Sequence, residues 1–172
     1  LTELGATHPD ILVLDADLAK STRTSKFADE FPERFFDMGI AEANMMGVAA
    51  GMARCGKVPF ASTFSIFASG RAWEQVRNTI CYSDLNVKIC ATHGGISVGP
   101  DGSSHQCIED FATMGAIPTL KVICPCDGPE TRRAIRAVAE TPGPCYVRLG
   151  RAKVPVVTRA DTPFEIGKGL VL

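Results

Sequence analysis

Short apolar stretches alternate along the chain with longer stretches in which apolar residues recur every three or four positions. The β-branched and aromatic residues of the short stretches indicate about six strands. These are Ile11–Leu14, Arg34–Asp37, Val58–Ala61, Val87–Ala91, Leu120–Ile123 and Cys145–Arg148. The longer stretches predict helices over Ala41–Ala53, Ala68–Ile80, His105–Met114 and Pro129–Glu140, the last with Asp127 placed to cap its N-terminus.

The alternation of strand and helix predicts an α/β fold, with a mostly parallel sheet of about six strands and helices on both faces. In such sheets ligands bind beyond the carboxyl ends of the strands, so the loops after the strands are where chemistry is expected. From Ala152 onward the periodicity lapses into a stretch rich in Val, Pro and Thr. We therefore predict one domain over residues 1–151, followed over residues 152–172 by a linker and the start of a further segment.

The composition is that of an ordinary globular domain, with 45% hydrophobic and 22% charged residues. A net charge of −1 without runs of like charge argues against a nucleic-acid partner. No apolar stretch reaches the roughly 18 residues that span a bilayer, so no membrane segment is expected. Seven cysteines, an odd number, favour the reducing cytoplasm. The chain opens at Leu1 without Met or a signal segment, which predicts a fragment of a longer polypeptide.

Glu42 stands directly after a predicted strand, in the first turn of the helix that follows. One interpretation is a favourable charge at a helix N-terminus, worth about 0.3–1 kcal/mol. The other is a functional carboxylate, because small residues such as Gly39, Gly47 and Gly51 give the helix a face suited to close packing against a partner. A carboxylate desolvated at such an interface suits proton exchange with a weak base.

Several motifs recur in one order along the chain. They are Ala16-Asp-Leu18 with Ser21, Gly39-Ile-Ala-Glu42, Thr63-Phe-Ser-Ile-Phe67, Ala91-Thr-His93, Val98-Gly-Pro-Asp-Gly102 with Ser104-His-Gln106, Pro125-Cys-Asp-Gly128, and Arg151 before Pro155. In these motifs the chain resembles the transketolase family, specifically the pyrimidine-binding domain of these thiamine diphosphate enzymes. The resemblance covers nearly the whole chain.

The resemblance implies that the pyrimidine end of thiamine diphosphate binds here. Glu42 would act on the pyrimidine ring nitrogen as a catalytic and cofactor-binding residue, and Asp17 would also contact the cofactor. Phe64 and Phe67 would form the wall on which the ring stacks, with Phe67 the better candidate. From the pattern alone, both phenylalanines could equally be ordinary core residues.

The resemblance also assigns a sugar-binding rim. Asp101 and His105 would contact sugar hydroxyls, with His105 also catalytic, while Arg151, His93 and Ser21 would hold the sugar phosphate. Arginine suits phosphate because its planar fork presents paired donors. A single loop histidine is more often simply solvated, so the rim depends on all of these residues converging. The chain departs from the usual family residues at Ala43, Gly70, Gly94, Cys107 and Gly115.

Thiamine enzymes hold Mg²⁺ and the diphosphate with a Gly-Asp-Gly followed about 25–30 residues later by Asn, through oxygen ligands. The chain lacks this pair, and Cys124-Pro-Cys126 has no second Cys/His pair to complete a metal site. We therefore expect no metal ligands here and place Mg²⁺ on a diphosphate-binding domain or subunit, in a homodimer or heterotetramer acting on sugar phosphates. The alternatives are 1-deoxyxylulose-5-phosphate synthase, a 2-oxo acid dehydrogenase β-like subunit, or a non-catalytic binding module of the same fold.

Overall fold

The computed structural model describes residues 1–169, which form a single six-stranded sheet in which every pairing is parallel. The strands are β1 (Ile11–Asp15), β2 (Phe35–Asp37), β3 (Val58–Phe64), β4 (Lys88–Thr92), β5 (Lys121–Ile123) and β6 (Cys145–Arg148). Their order across the sheet is β2-β1-β3-β4-β6-β5. Central β3 is buried at nearly every position, as expected for a parallel strand covered on both faces. The predicted fold class is confirmed.

Helices cover both faces of the sheet. The α-helices are α1 (Thr2–Thr7), α2 (Ala19–Thr22), α3 (Ser25–Glu30), α4 (Glu42–Arg54), α5 (Asp110–Gly115) and α6 (Gly128–Glu140). One buried cluster packs α4 and the segment after β3 against the sheet, through residues such as Met45, Met46 and Val76. The other packs α1, α3 and α6 against the opposite face, through residues such as Leu4 and Phe27. Neither face of the sheet is left open, which explains its apolar strands.

The two longest helices have clear local signals at their ends. Asp127 caps α6, because its carboxylate accepts a hydrogen bond of 2.9 Å from the backbone N–H of Glu130. Glu130 reaches back and accepts from the N–H of Cys126 at 2.6 Å. Helix α4 ends just before Gly56, whose φ of +81° lies in the left-handed region that glycine adopts without strain.

Two predicted helices differ from the structure. Ala68–Ile80 is not one α-helix but two π-helical segments, Phe67–Arg71 and Gln75–Cys81, with wider bonds such as Ala72 N–H to Phe67 O at 3.1 Å. His105–Met114 is helical only from Asp110, after 3₁₀ turns at Gly99–Asp101 and Ser103–His105. The reason for the late start is that the Cys107 carbonyl accepts from Gly95 N–H at 2.7 Å, which holds this part of the chain extended. A further 3₁₀ turn, Pro32–Arg34, precedes β2.

Lys88, at the amino end of β4, is fully buried. Its ammonium donates to Thr141 O at 2.6 Å, to Asn86 Oδ1 at 2.7 Å and to Gly143 O at 2.8 Å. Burial lowers the pKa of Lys88. The bonds to Thr141 and Gly143 join β4 to the segment before β6 at the end of the sheet opposite the loops that carry the predicted site.

Residues 152–169 contain neither helix nor strand. This segment is nevertheless attached to the domain, since Asp127 accepts from Thr158 N–H at 2.7 Å and Phe164 and Ile166 pack against the core. Its assignment as a linker and the start of a further segment stays a prediction, and residues 170–172 lie outside the described part of the chain. Within residues 1–169, none of the helices is both long and apolar enough to traverse a bilayer.

Candidate active site

Because all six strands run parallel, their carboxyl ends meet at one edge of the sheet. The predicted site residues lie at this edge, which we call the carboxyl edge. Glu42 follows β2, Phe64 ends β3, His93 follows β4 and Arg151 follows β6. Residues more than 100 positions apart in the chain are thereby brought to one surface.

Glu42 is the first residue of α4, and its side chain is only 3% exposed. Its carboxylate is paired with Arg71, whose Nη1 lies 3.2 Å from Oε1 and 3.3 Å from Oε2. A buried carboxylate requires such compensation, because an unpaired charge in the interior is strongly destabilising. Glu42 is therefore more than a surface charge at a helix N-terminus.

Phe67 lies directly beside this ion pair. The Arg71 guanidinium carbon sits 4.3 Å from the centre of the Phe67 ring, a cation–π contact. The π-helical turn Phe67–Arg71 brings the two side chains together within five residues. A carboxylate, an aromatic face and a planar cation in contact with both thus form one unit.

Phe64 has a different position from Phe67. It is 5% exposed, it stacks on Phe67 with ring centres 5.9 Å apart, and His93 stacks on it at 3.8 Å. The Phe64 ring therefore contacts the rings of both Phe67 and His93 and holds them in position. His105 meets the edges of this aromatic group, with its ring centre 5.5 Å from that of Phe67.

The imidazole of His93 is buried, and neighbouring residues of the predicted sugar-binding rim affect its pKa. Burial lowers the pKa of His93; the carboxylate of Asp101 opposes this, and the charges of Arg151 and His105 reinforce it. Nδ1 of His93 lies 2.9 Å from Thr92 Oγ1, and the backbone φ of His93 is +59°. The ring therefore binds a proton less readily than a free imidazole, and it stands in a backbone conformation that its surroundings impose.

Ser21, His93 and Arg151 line a common cavity of about 690 Å³. Lys20, Arg23 and Lys153 also line it, and within residues 1–169 no carboxylate does. Ser21 is positioned by buried Asp15, which accepts from Leu18 N–H at 2.6 Å and from Thr22 Oγ1 at 2.7 Å at the two ends of α2. An anionic group would enter a cavity of wholly positive charge.

Asp17 follows β1 at the same carboxyl edge. It is exposed at the end of β1 with φ of +61°. Among the described residues, no hydrogen bond joins its side chain to Glu42. Its backbone N–H donates to Asp37 Oδ1 at 3.1 Å, and the same oxygen accepts from Gly39 N–H at 2.9 Å. Asp37 thus ties the end of β1 to the loop that leads to Glu42.

A family model described as the pyrimidine-binding domain of transketolase matches residues 1–157. The chain belongs to this family. It is 55% identical to a protein of Methanocaldococcus jannaschii named for the C-terminal section of a transketolase, covering 100% of this chain and 55% of that protein. It is 37% identical to human transketolase, over 100% of this chain and 27% of that protein.

Among solved structures, a split-gene transketolase described as an inactive β4 tetramer matches with a TM-score of 0.87 and 57% identity, over 97% of this chain and 54% of that chain. The transketolase of Pichia stipitis in complex with sedoheptulose-7-phosphate matches with a TM-score of 0.77 and 28% identity, over 87% of this chain and 24% of that one. The pyrimidine-binding domain described here spans about half the length of the curated relatives it matches first.

Two departures from the usual family residues have a physical explanation in this pyrimidine-binding domain. Where many members have an aromatic residue, Gly70 stands exposed, and the next residue, Arg71, covers Phe67 instead. At Gly94 a Cβ would clash with the side chain of Arg148, so a larger residue would require Arg148 to move. Arg148 is held there by buried Asp110 at 3.2 Å. Ala43, Cys107 and Gly115 have no comparable explanation.

Sequence reasoning missed Arg71, Asp37 and the cavity lysines and arginines. Arg71 carried a signal, since it is a charged residue in an otherwise apolar stretch directly after the unexpected Gly70. Its contact with Glu42 carried none, because the two residues are 29 positions apart and are joined only by the tertiary fold.

Proposed function

We propose that this chain is the pyrimidine-binding half of a thiamine diphosphate-dependent transketolase, which moves a two-carbon ketol unit between sugar phosphates. The observation that carries the proposal is the unit formed by Glu42, Arg71 and Phe67. The planar guanidinium of Arg71 lies over the Phe67 ring and donates to the Glu42 carboxylate. A site that accommodates this group has the features that an aminopyrimidine ring requires.

The residues present fit the pyrimidine end of the cofactor. When bound, thiamine diphosphate supplies the nucleophilic carbon that carries the two-carbon unit. Phe67 would hold the ring by stacking. Glu42 would hold a proton at the ring nitrogen, and its burial keeps water away from that proton. Phe64 would act through Phe67 by supporting it.

The sugar would bind at the rim beside this unit. The cavity that joins Ser21, His93 and Arg151 supports a phosphate site, because every charged side chain that lines it is positive. Asp101 and His105 would contact sugar hydroxyls, and His105, whose ring centre lies 5.5 Å from that of Phe67, would act on the reacting end. Asp17 would contact the cofactor from the end of β1, which Asp37 ties to the loop that leads to Glu42.

The diphosphate and Mg²⁺ would be held by another domain or subunit. Among the residues that the structure describes, no three acidic, Cys or His side chains are grouped to hold a metal ion. The chain also spans about half the length of its first relatives. We therefore propose a homodimer or heterotetramer with a diphosphate-binding partner. Seven free cysteines would suit the cytoplasm.

Glu42→Gln tests the proposal in the enzyme assembled from this chain and its diphosphate-binding partner. The amide keeps the size of the side chain and removes the exchangeable acid, so cofactor should still bind. Ketol transfer, and hydrogen–deuterium exchange at the reactive carbon of the thiazolium ring, should fall by at least about 100-fold. Glu74→Gln, an exposed carboxylate in the segment after Phe67, is the matched control and should leave both rates unchanged.

Unaltered exchange in the Glu42→Gln enzyme would contradict the proposed role of Glu42. Wild-type assembly that binds cofactor but transfers no ketol group from any sugar phosphate would contradict the transketolase assignment. Turnover of 2-oxo acids in that assembly would favour the dehydrogenase alternative, and absence of cofactor binding would favour a non-catalytic module.

A further inference from the structure

Arg71 contacts both groups that the pyrimidine ring would need. Its Nη1 donates to both oxygens of Glu42, at 3.2 and 3.3 Å, and its guanidinium carbon lies 4.3 Å from the centre of the Phe67 ring. The guanidinium therefore fills the space that joins the carboxylate to the aromatic face. A ring stacked on Phe67 and bonded to Glu42 would have to enter that same space.

Arg71 is also placed so that it can leave. Its side chain is 54% exposed, whereas that of Glu42 is 3% exposed, so a released guanidinium would return to water while the carboxylate stays in position. Gly70, directly before it, is exposed and has open space around it. The turn Phe67–Arg71 is π-helical, an arrangement that often marks functional sites in helices.

The ion pair of Arg71 with Glu42 compensates a buried charge in the domain when no cofactor is bound. Glu42 is buried, which suits a carboxylate that exchanges a proton with a ring nitrogen, yet a buried carboxylate without a partner is strongly destabilising. Arg71 supplies the partner. Once the pyrimidine donates to Glu42 and covers Phe67, the guanidinium is no longer needed there.

We propose that Arg71 is a built-in occupant of the pyrimidine site, which compensates Glu42 and covers Phe67 until the cofactor ring displaces it. This inference rests on the proposed function, since it takes the pyrimidine as the incoming ligand. It predicts in which direction the affinity for the cofactor changes when Arg71 is replaced. The domain competes with its own cofactor, so removal of the guanidinium should make cofactor bind more tightly.

Arg71→Met is the test variant. Methionine is unbranched and apolar like the aliphatic part of arginine, but it lacks the guanidinium that donates the hydrogen bonds and carries the charge. In the assembled enzyme at fixed Mg²⁺, the Kd of thiamine diphosphate measured by calorimetry should fall about threefold to tenfold, as expected when a competing state is removed. Arg77→Met is the matched control, since Arg77 is exposed in the next π-helical segment, over Trp73 at 5.8 Å. Its Kd should equal that of the wild type.

An unchanged or higher Kd in the Arg71→Met enzyme would overturn the proposal while leaving the proposed function intact, provided that the wild-type assembly binds cofactor and transfers ketol groups. If the wild-type assembly does neither, the proposed function fails and this inference fails with it.

A second measurement needs no variant of Arg71 and covers the case in which Arg71→Met does not fold. The guanidinium nitrogen signals of Arg71 should be shifted by Glu42 in the cofactor-free enzyme and should move to the position of a solvated arginine when thiamine diphosphate saturates the site. Signals that remain shifted with cofactor bound would overturn the proposal.

Discussion

At the scale of single residues, three of the five non-glycine residues with positive φ in residues 1–169 lie at the carboxyl edge. These are Asp17, Arg23 and His93, with φ between +59° and +66°, whereas Asp84 and Thr119 precede β4 and β5 at the opposite edge. Such conformations persist in non-glycine residues only where the surroundings enforce them, and they cluster at functional sites. The resemblance pointed to Asp17 and His93 as residue types. It contained no information on their backbone, because φ at one position depends on the contacts of the folded loop.

The protonation of His93 can be changed in both directions by its neighbours. Asp101 raises the pKa of His93 and Arg151 lowers it. Asp101→Asn should therefore lower the pKa, and Arg151→Met should raise it. Proton NMR titration of the chain gives both values, and because the sequence has only three histidines, His8→Gln and His105→Gln assign the signals. Shifts in one direction only, or none, would mean that the three side chains do not converge.

At the scale of elements, the sequence predicted well wherever one local signal decides the structure. The six strands appear where the apolar runs indicated, and α6 begins after its Asp127 cap. The predictions were less accurate where tertiary contacts intervene. The pattern over Ala68–Ile80 has helical spacing, but periodicity alone does not distinguish π-helical from α-helical turns. The residues before Asp110 follow their pairing with Gly95 rather than their own helical pattern.

Asp127 joins two elements, α6 and the segment around Thr158, and its replacement should loosen both. Burial opposes its ionisation, but hydrogen bonds from Thr158, Glu130 and Val157 outweigh this and lower the pKa of Asp127. An amide nitrogen cannot accept these bonds, so Asp127→Asn should lower the melting temperature at pH 7 by roughly 2–6 °C. Asp161→Asn, which changes an exposed carboxylate in the same segment, is the control.

The pH dependence of the Asp127→Asn effect follows from the lowered pKa of Asp127. A carboxylate whose folded pKa is lowered stabilises the fold above its unfolded pKa of about 3.9, and the contribution is lost as pH falls from there through the folded pKa. The difference in melting temperature between wild type and Asp127→Asn should therefore be constant from pH 7 to about pH 5 and shrink below about pH 4. A difference that grows on acidification would contradict the assignment.

At the scale of the whole molecule, the sequence predicted a parallel sheet but did not predict the strand order β2-β1-β3-β4-β6-β5. That order determines which loops become neighbours. It brings the loop after β3 next to the loop after β4, and so Phe64 onto His93. The candidate residues could be named from motifs, whereas their division into a Glu42 unit and a cationic cavity required the fold.

The isolated chain should bind thiamine diphosphate poorly, because the site proposed here would hold only the pyrimidine end of the cofactor. With Mg²⁺ present, calorimetry should give a Kd weaker than about 10 μM, equivalent to roughly −7 kcal/mol. The same titration on the assembly with its diphosphate-binding partner is the control and should give much tighter binding. Tighter binding by the isolated chain would mean that a diphosphate site lies within it.

Lys88 gives the opposite end of the sheet a practical importance. Its bonds to Thr141 and Gly143 join the amino end of β4 to the segment before β6, without any contribution from the loops that carry Glu42, Phe67 and His93. Substitutions in those loops therefore leave these hydrogen bonds untouched. Redesign of binding specificity can therefore be confined to the carboxyl edge of the sheet, while the hydrogen bonds at the opposite edge stay unchanged.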